Sequence, residues 1–288
     1  MMKANNQLDA LITLLDDPDL TVYQDVEQRI LELGIQVRDE LKKASIKSAH
    51  PVQRNRINIL LSKINYKYVK QHFSQWLASP EKDLLSGLLI IAEYQYPELN
   101  TDQVLKKIDQ IRKDAWLEIN DQLTALEQVK VLNHIFFSVH RFQANSSNFY
   151  APGNSFINDV LFAKKGNPIT LSSLYAIIAQ KLDIPIFGVN LPEHFILAYV
   201  DNHTPFQAKP EDILFYINVF NKGVVFTHNE VGEFLKHIKV NPKQEYFLPC
   251  TNKVIITRML NNLIVSYDKT NKPEKAKEIK ELILLTIS

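Results

Sequence analysis

Apolar residues recur at helical spacing through the first half of the chain. Residues 7–15 read as a short amphipathic helix, stopped by Asp16, Asp17, Pro18 and Asp19. Beyond them Val22, Val26, Ile30, Leu33, Val37 and Leu41 step by four and three, which is one helix face. Gly34 interrupts that face and marks either a bend or a break between two helices. Helices are expected over 54–70 and 72–77, with Trp76 as a packing anchor, and over 83–94, which is strongly apolar. Thr101 and Asp102 are candidate caps for the next helix, with Val104, Leu105, Ile108 and Ile111 on its face. Another helix is expected over 123–137. Up to about residue 140 the periodicity is helical throughout.

The pattern then changes. Asn145, Ser146, Ser147, Asn148, Pro152 and Gly153 cannot sustain a helix, so 141–153 reads as an ordered loop. Asn154 is a candidate cap for a helix over 155–162. Gly166 makes a turn, and Pro168 sits where a first helical turn tolerates proline. The helix over 169–182 is apolar almost all round, which predicts burial on every side. Asp183 and Pro185 end it. Strands are expected over 186–189, 194–200, 214–220 and 224–227, the last two joined by Asn221, Lys222 and Gly223 as a hairpin loop. A polar turn covers 201–210, a helix 230–238, a connector 242–249, and two closing helices 253–267 and 275–286.

Composition narrows the class without naming a chemistry. The 288 residues are 45% hydrophobic and 23% charged, which is globular. Thirty-three basic against 32 acidic residues leave a net charge of +1. That balance gives no nucleic-acid or membrane footprint. A single cysteine, Cys250, excludes an internal disulfide and suits a reducing compartment. No apolar run approaches a membrane span, so a cytoplasmic protein is expected. The histidines show no metal-ligand spacing, and neither a metal nor another cofactor is expected.

Several ordered segments carry a resemblance. They are Asn145 with the run Tyr150 to Ser155 (YAPGNS), then FINDVL from Phe156 and GNPITLS from Gly166. PEHF from Pro192 and RMLNNL from Arg258 complete them, and the helix ending in Tyr96-Pro97-Glu98-Leu99 also fits. Over roughly residues 80 to 288 this set resembles the bacterial SirB-type family of the transglutaminase-like superfamily, which carries tetratricopeptide-like helices at its C-terminus. The resemblance implies a papain-like core. In that core a cysteine starts a buried helix, a histidine opens one strand and an aspartate lies on the next. A helix N-terminus lowers a thiol pKa, the histidine takes the proton, and the acid orients the histidine.

Carried onto this chain, the nucleophile position falls on Pro168, the histidine on His194 and the acid on Asn218. Proline has no reactive group. The expected fold is α+β and mostly helical, with a buried helix packed on a short antiparallel sheet. Four parts are expected: a helical extension with HEAT-like character over 1–80, a helical subdomain over 81–144, the transglutaminase-like core over 145–240 and a tetratricopeptide-like hairpin over 241–288. The expected function is a non-catalytic, protein-binding or regulatory module, with its oligomeric state open. One alternative is a hydrolase or acyltransferase using His194 with Thr170 or Ser172. Another is a small-molecule sensor whose pocket is lined by His194, Asn218 and Tyr150.

Overall fold

A computed structural model describes residues 2–201 and 205–287. The middle of the polar turn expected over 201–210, residues 202–204, lies outside the described residues. The fold is α+β and mostly helical, as the patterning indicates. By their contacts the residues divide into two compact units, 1–75 with 93–97, and 76–92 with 98–288.

In the first unit lie α1 (Met2–Thr13), α2 (Leu20–Leu33), α3 (Arg38–Lys47) and most of α4 (Pro51–Ala78). Gly34 is a break, not a bend: at φ 69° it caps the end of α2, and a 3-10 turn leads into α3. The two helices expected over 54–70 and 72–77 are one continuous α4, because no residue between them interrupts the backbone ladder. Leu8, Leu11, Leu15, Val26, Ile30, Leu41, Ile57 and Leu60 are buried in one core. Arg56 closes it from the side, donating to the Leu15 and Asp17 carbonyls, each at 2.8 Å, with its guanidinium over the Tyr23 ring.

The second unit contains most of α5 (Leu84–Gln95), then α6 (Thr101–Trp116) and α7 (Ala125–Asn133). Asn100, not Thr101 or Asp102, caps α6 by accepting from the Gln103 N–H, since a cap must precede the first helical turn. The helix expected over 123–137 is shorter. Thr124 and Glu127 form a capping box, so α7 starts at Ala125. After Asn133 the chain widens into a π-helical turn, His134–Val139. That turn places Phe136 against Phe142 and Tyr175, with ring centroids 4.3 and 5.3 Å apart.

The core elements follow. They are β1 (Gln143–Ala144), α8 (Ile157–Ala163), β2 (Lys165–Gly166), α9 (Pro168–Gln180), β3 (Ile186–Val189) and β4 (Ile196–Val200). Then come β5 (Ile213–Asn218), β6 (Val224–Phe226), α10 (His228–His237), α11 (Asn252–Lys269) and α12 (Pro273–Ile287). Strands β3-β4-β5-β6 form an antiparallel sheet in that order, with Ala198 opposite both Phe187 and Tyr216. The short parallel pair β1–β2 ties the loop after residue 142 to the start of α9. Every residue of α9 from Ile169 to Ala179 is buried. At Gly188 on β3 a Cβ would lie 2.6 Å from the Phe195 ring and 2.9 Å from Ile255, so any larger residue would push these side chains aside.

Three further expectations need correction. Asn154 does not cap a helix: α8 starts at Ile157, and Asn154 lies in a 3-10 turn. Beta-four begins at Ile196, so His194 precedes the strand in a turn at Pro192 and Glu193. Residues 219–221 leave β5 as a 3-10 turn, because Asn218 accepts from the Asn221 N–H and bends the chain. Among the described residues no helix is long and apolar enough to cross a membrane.

The burial of α9 yields a direct test. Leu174 is fully buried and Leu284 on α12 is 64% exposed. Leu174→Ala is expected to cost about 2–5 kcal/mol of unfolding free energy in urea melts, against within about 0.5 kcal/mol for Leu284→Ala.

Candidate functional site

The first turn of α9 is built by polar side chains from the preceding loop. Asn167 is the N-cap: its Oδ1 accepts from the Thr170 N–H at 2.9 Å and the Thr170 hydroxyl at 3.0 Å. Its Nδ2 donates to Ser155 Oγ at 2.9 Å. One layer out, Asn154 donates to the carbonyls of Asn148 and Phe149 and accepts from Asn145 Nδ2 at 2.8 Å. The loop expected over 141–153 is therefore ordered by asparagine side chains satisfying backbone groups. Pro168 follows the cap at the first helical position, where no N–H is required.

A cleft of about 280 Å³ opens at this helix start. Asn167, Pro168 and Ile169 form its floor, and Phe149 and Tyr150 one wall. Glu193 and Phe195 come from the turn before β4, and Arg258, Asn262, Val265 and Ser266 from α11. Lys269 stands over the outer face of the Tyr150 ring, 5.8 Å from its centroid.

Arg258 ties these walls together. Its Nη1 donates to the Asn190 side-chain oxygen at 2.5 Å and to the Leu191 carbonyl at 2.6 Å. Its guanidinium carbon lies 6.0 Å from the centre of the Phe195 ring. Burial lowers its pKa. Glu193, in the turn that Arg258 holds, takes a left-handed φ of 60°. That conformation favours glycine and costs about 1 kcal/mol in other residues.

The site residues expected from sequence separate in space. Pro168 and Tyr150 line the cleft; His194 and Asn218 do not. The His194 ring packs edge-on against Phe234 of α10, with centroids 4.8 Å apart. Asn218 spends its side-chain oxygen on the Asn221 N–H. Among the described residues no hydrogen bond joins His194 to Asn218, Thr170 or Ser172. Thr170 is committed to Asn167, and Ser172 Oγ is buried without a partner. Alternation along β4 explains the split. Ile196, Ala198 and Val200 share a core with Val231 and Leu235 of α10 and with Phe247 beyond it, and His194 shares their parity. Phe195 has the opposite parity and reaches the start of α9.

Sequence reasoning gave no role to Arg258, Glu193, Asn262 or Ser266. Glu193, Arg258 and Asn262 lie in the PEHF and RMLNNL runs that carry the resemblance, and Arg258 left a further signal as a cation among the buried Ile255, Ile256, Met259, Leu260 and Leu263 of α11. Cys250 lies away from the cleft, in a second cavity with Tyr246, Leu248 and Pro249. Burial pushes its thiol up to about 12. Among the described residues no three or more His, Cys, Asp or Glu side chains stand together to hold a metal ion.

Two measurements check these electrostatics. Cys250 is expected to react slowly with iodoacetamide near neutral pH and to speed up only as pH approaches 12, because the thiolate is the nucleophile. Burial first, and the Arg258 charge second, lower the His194 pKa, with Glu193 opposing them. His194 therefore stays neutral at pH 7, and an NMR titration should place its midpoint below the ordinary histidine value of about 6.5. Arg258→Met should move that midpoint upward.

Comparison with known proteins agrees with this core. The sequence profile of the transglutaminase-like superfamily matches residues 102–261. A UPF0162 protein of Xylella fastidiosa is 25% identical over 207 residues, covering 70% of each chain. The UPF0162 protein YchA of Escherichia coli is 23% identical over 205 residues, or 70% of this chain and 72% of its own. Human F-box only protein 21 is 29% identical over 148 residues, which is 51% of this chain and 22% of that one. No solved structure matches. With more than half its length inside the family profile, and with a core of a buried helix and an antiparallel sheet, the chain belongs to the transglutaminase-like superfamily.

Proposed function

We propose that this protein is a non-catalytic member of the superfamily, a binding or regulatory module for a protein partner that uses the cleft at the start of α9. Pro168 carries this reading. It occupies the first position of α9, where the resemblance puts a nucleophile, and offers neither a reactive side chain nor an N–H. Covalent acyl transfer needs a nucleophile and a base within hydrogen-bond reach. The base candidate, His194, packs against Phe234 on the α10 side of the sheet. The similar stretch makes up about a fifth of human F-box only protein 21, so a related sequence also occurs inside a longer chain.

The rival hydrolase or acyltransferase reading needs Thr170 or Ser172 activated by His194. The committed Thr170 hydroxyl and the buried Ser172 hydroxyl weigh against it. The four-part division at residues 80, 144 and 240 belongs to this proposal, with α11 and α12 as a tetratricopeptide-like hairpin at its end. A reducing, cytoplasmic setting belongs to it too, supported by the free Cys250.

The test assays the full chain and Pro168→Cys for hydrolysis of 4-nitrophenyl acetate and for incorporation of a fluorescent amine into casein. Neither is expected to exceed the rate of a denatured control. Turnover by wild type that disappears in Thr170→Val or Ser172→Ala would overturn the non-catalytic reading.

A further inference from the structure

The cleft contains a cation that uses two of its five hydrogen-bond donors. An arginine carries five N–H donors in a planar fork. Arg258 spends both hydrogens of Nη1, on Asn190 and on Leu191. Its Nε and Nη2 make no hydrogen bond to any described residue, and no carboxylate among the described residues lies within ion-pair distance of it. Glu193 shares the cleft without pairing with it. Removing a guanidinium from water costs free energy that a counter-charge normally offsets, and Arg258 has none.

The free Nε–Nη2 edge is the one that matches a carboxylate by two parallel bonds. The cleft that Arg258 lines is walled by Phe149, Tyr150, Ile169, Phe195 and Val265, with Glu193, Asn167, Asn262 and Ser266 as its polar members. Arg258 also borders a separate recess with Asn190, Lys253 and Thr257. A volume of about 280 Å³ sits at the lower limit of small-molecule pockets, which start near 300 Å³. It holds one residue-sized group and no folded segment.

We infer that this cleft binds a carboxylate attached to a single apolar or aromatic group, with Arg258 as its anchor. The chemistry is shared by the C-terminal residue of a peptide and by a free apolar carboxylic acid. The inference deepens the binding-module reading of the same site and supplies a ligand class for it.

Isothermal titration of the full chain tests it with four probes: N-acetylphenylalanine, its amide, a tetrapeptide ending in phenylalanine, and that tetrapeptide amidated. The acids are expected to bind at least tenfold more tightly than their amides. Arg258→Lys keeps the charge and loses the fork, and should weaken the acids at least tenfold. It also alters the clamp on Leu191, so Val265→Trp serves as an independent variant. Val265 is 45% exposed at the rim, and a tryptophan there fills the cleft without touching the Leu191 clamp. Binding should disappear in that variant while its melting temperature stays near wild type. A tetrapeptide acid that binds more tightly than N-acetylphenylalanine assigns the site to chain termini; equal affinity assigns it to small acids, and both outcomes support the inference. Equal binding of acid and amide, no binding of either acid to folded wild type, or full binding by folded Val265→Trp would overturn it. Ester turnover would sink the non-catalytic reading and leave carboxylate binding standing. Failed acid–amide discrimination would do the reverse.

Discussion

A helix buried on every side has nowhere to send the N–H groups of its first turn except into protein. That constraint shapes the second unit. Alpha-nine is enclosed from Ile169 to Ala179, and its first residue, Pro168, is half-buried at the floor of the cleft. Asn167 supplies the acceptor, Pro168 removes one donor, and Ser155 and Asn154 fix the capping side chain and its surroundings. The asparagine-rich stretch from Asn145 to Asn158 follows from the same requirement. Buried polar groups are tolerated when their hydrogen bonds are made; Asn154 and Asn167 make theirs, while Asn158 Oδ1 is buried without a partner.

The second constraint is the alternation of the sheet. Beta-four is buried on both faces, one toward α9 and one toward α10. Neighbouring residues ahead of it therefore serve different surroundings. Phe195 and Glu193 reach the cleft, while His194, between them, reaches Phe234. His194 therefore has no route to the cleft, because neighbouring residues of an extended chain point to opposite faces.

These constraints explain what the sequence disclosed. Elements with strong periodicity were legible: the amphipathic helices, the all-round apolar α9, and the strands that flank Gly223. Boundaries set by single hydrogen bonds were less so. Asn100 rather than Thr101 caps α6, and Asn218 ends β5 by turning its side chain to Asn221. The π-helical turn after Asn133 leaves no mark in a period count, because its widened turn is stabilised by distant rings, Phe142 and Tyr175. Pro168 at the helix start was legible because proline at a first turn has a local cause. The direction of His194 was not. Both parities of residues 194–200 are apolar or aromatic apart from the histidine itself, so no polar alternation showed which face met α9.

Arg258 marks the furthest point that periodicity can reach. On α11 it interrupts an apolar face, which signals a buried cation but not its partner. Its partners are a side-chain amide and a backbone carbonyl 67 or more residues away, in the turn before β4. Neither neutralises it. The charge is held by dipoles alone, and the cleft it lines combines Phe149, Phe195 and Val265 with Glu193, which does not pair with it. The same side chain thus does two separable things. Through Nη1 it fixes the turn that carries Glu193 and Phe195, which is packing and hydrogen bonding. Through its remaining donors it offers the edge that the inferred carboxylate would use. Pro168 at the helix start takes part in neither role, so the recess keeps its charge and its shape although the first residue of α9 offers no reactive side chain.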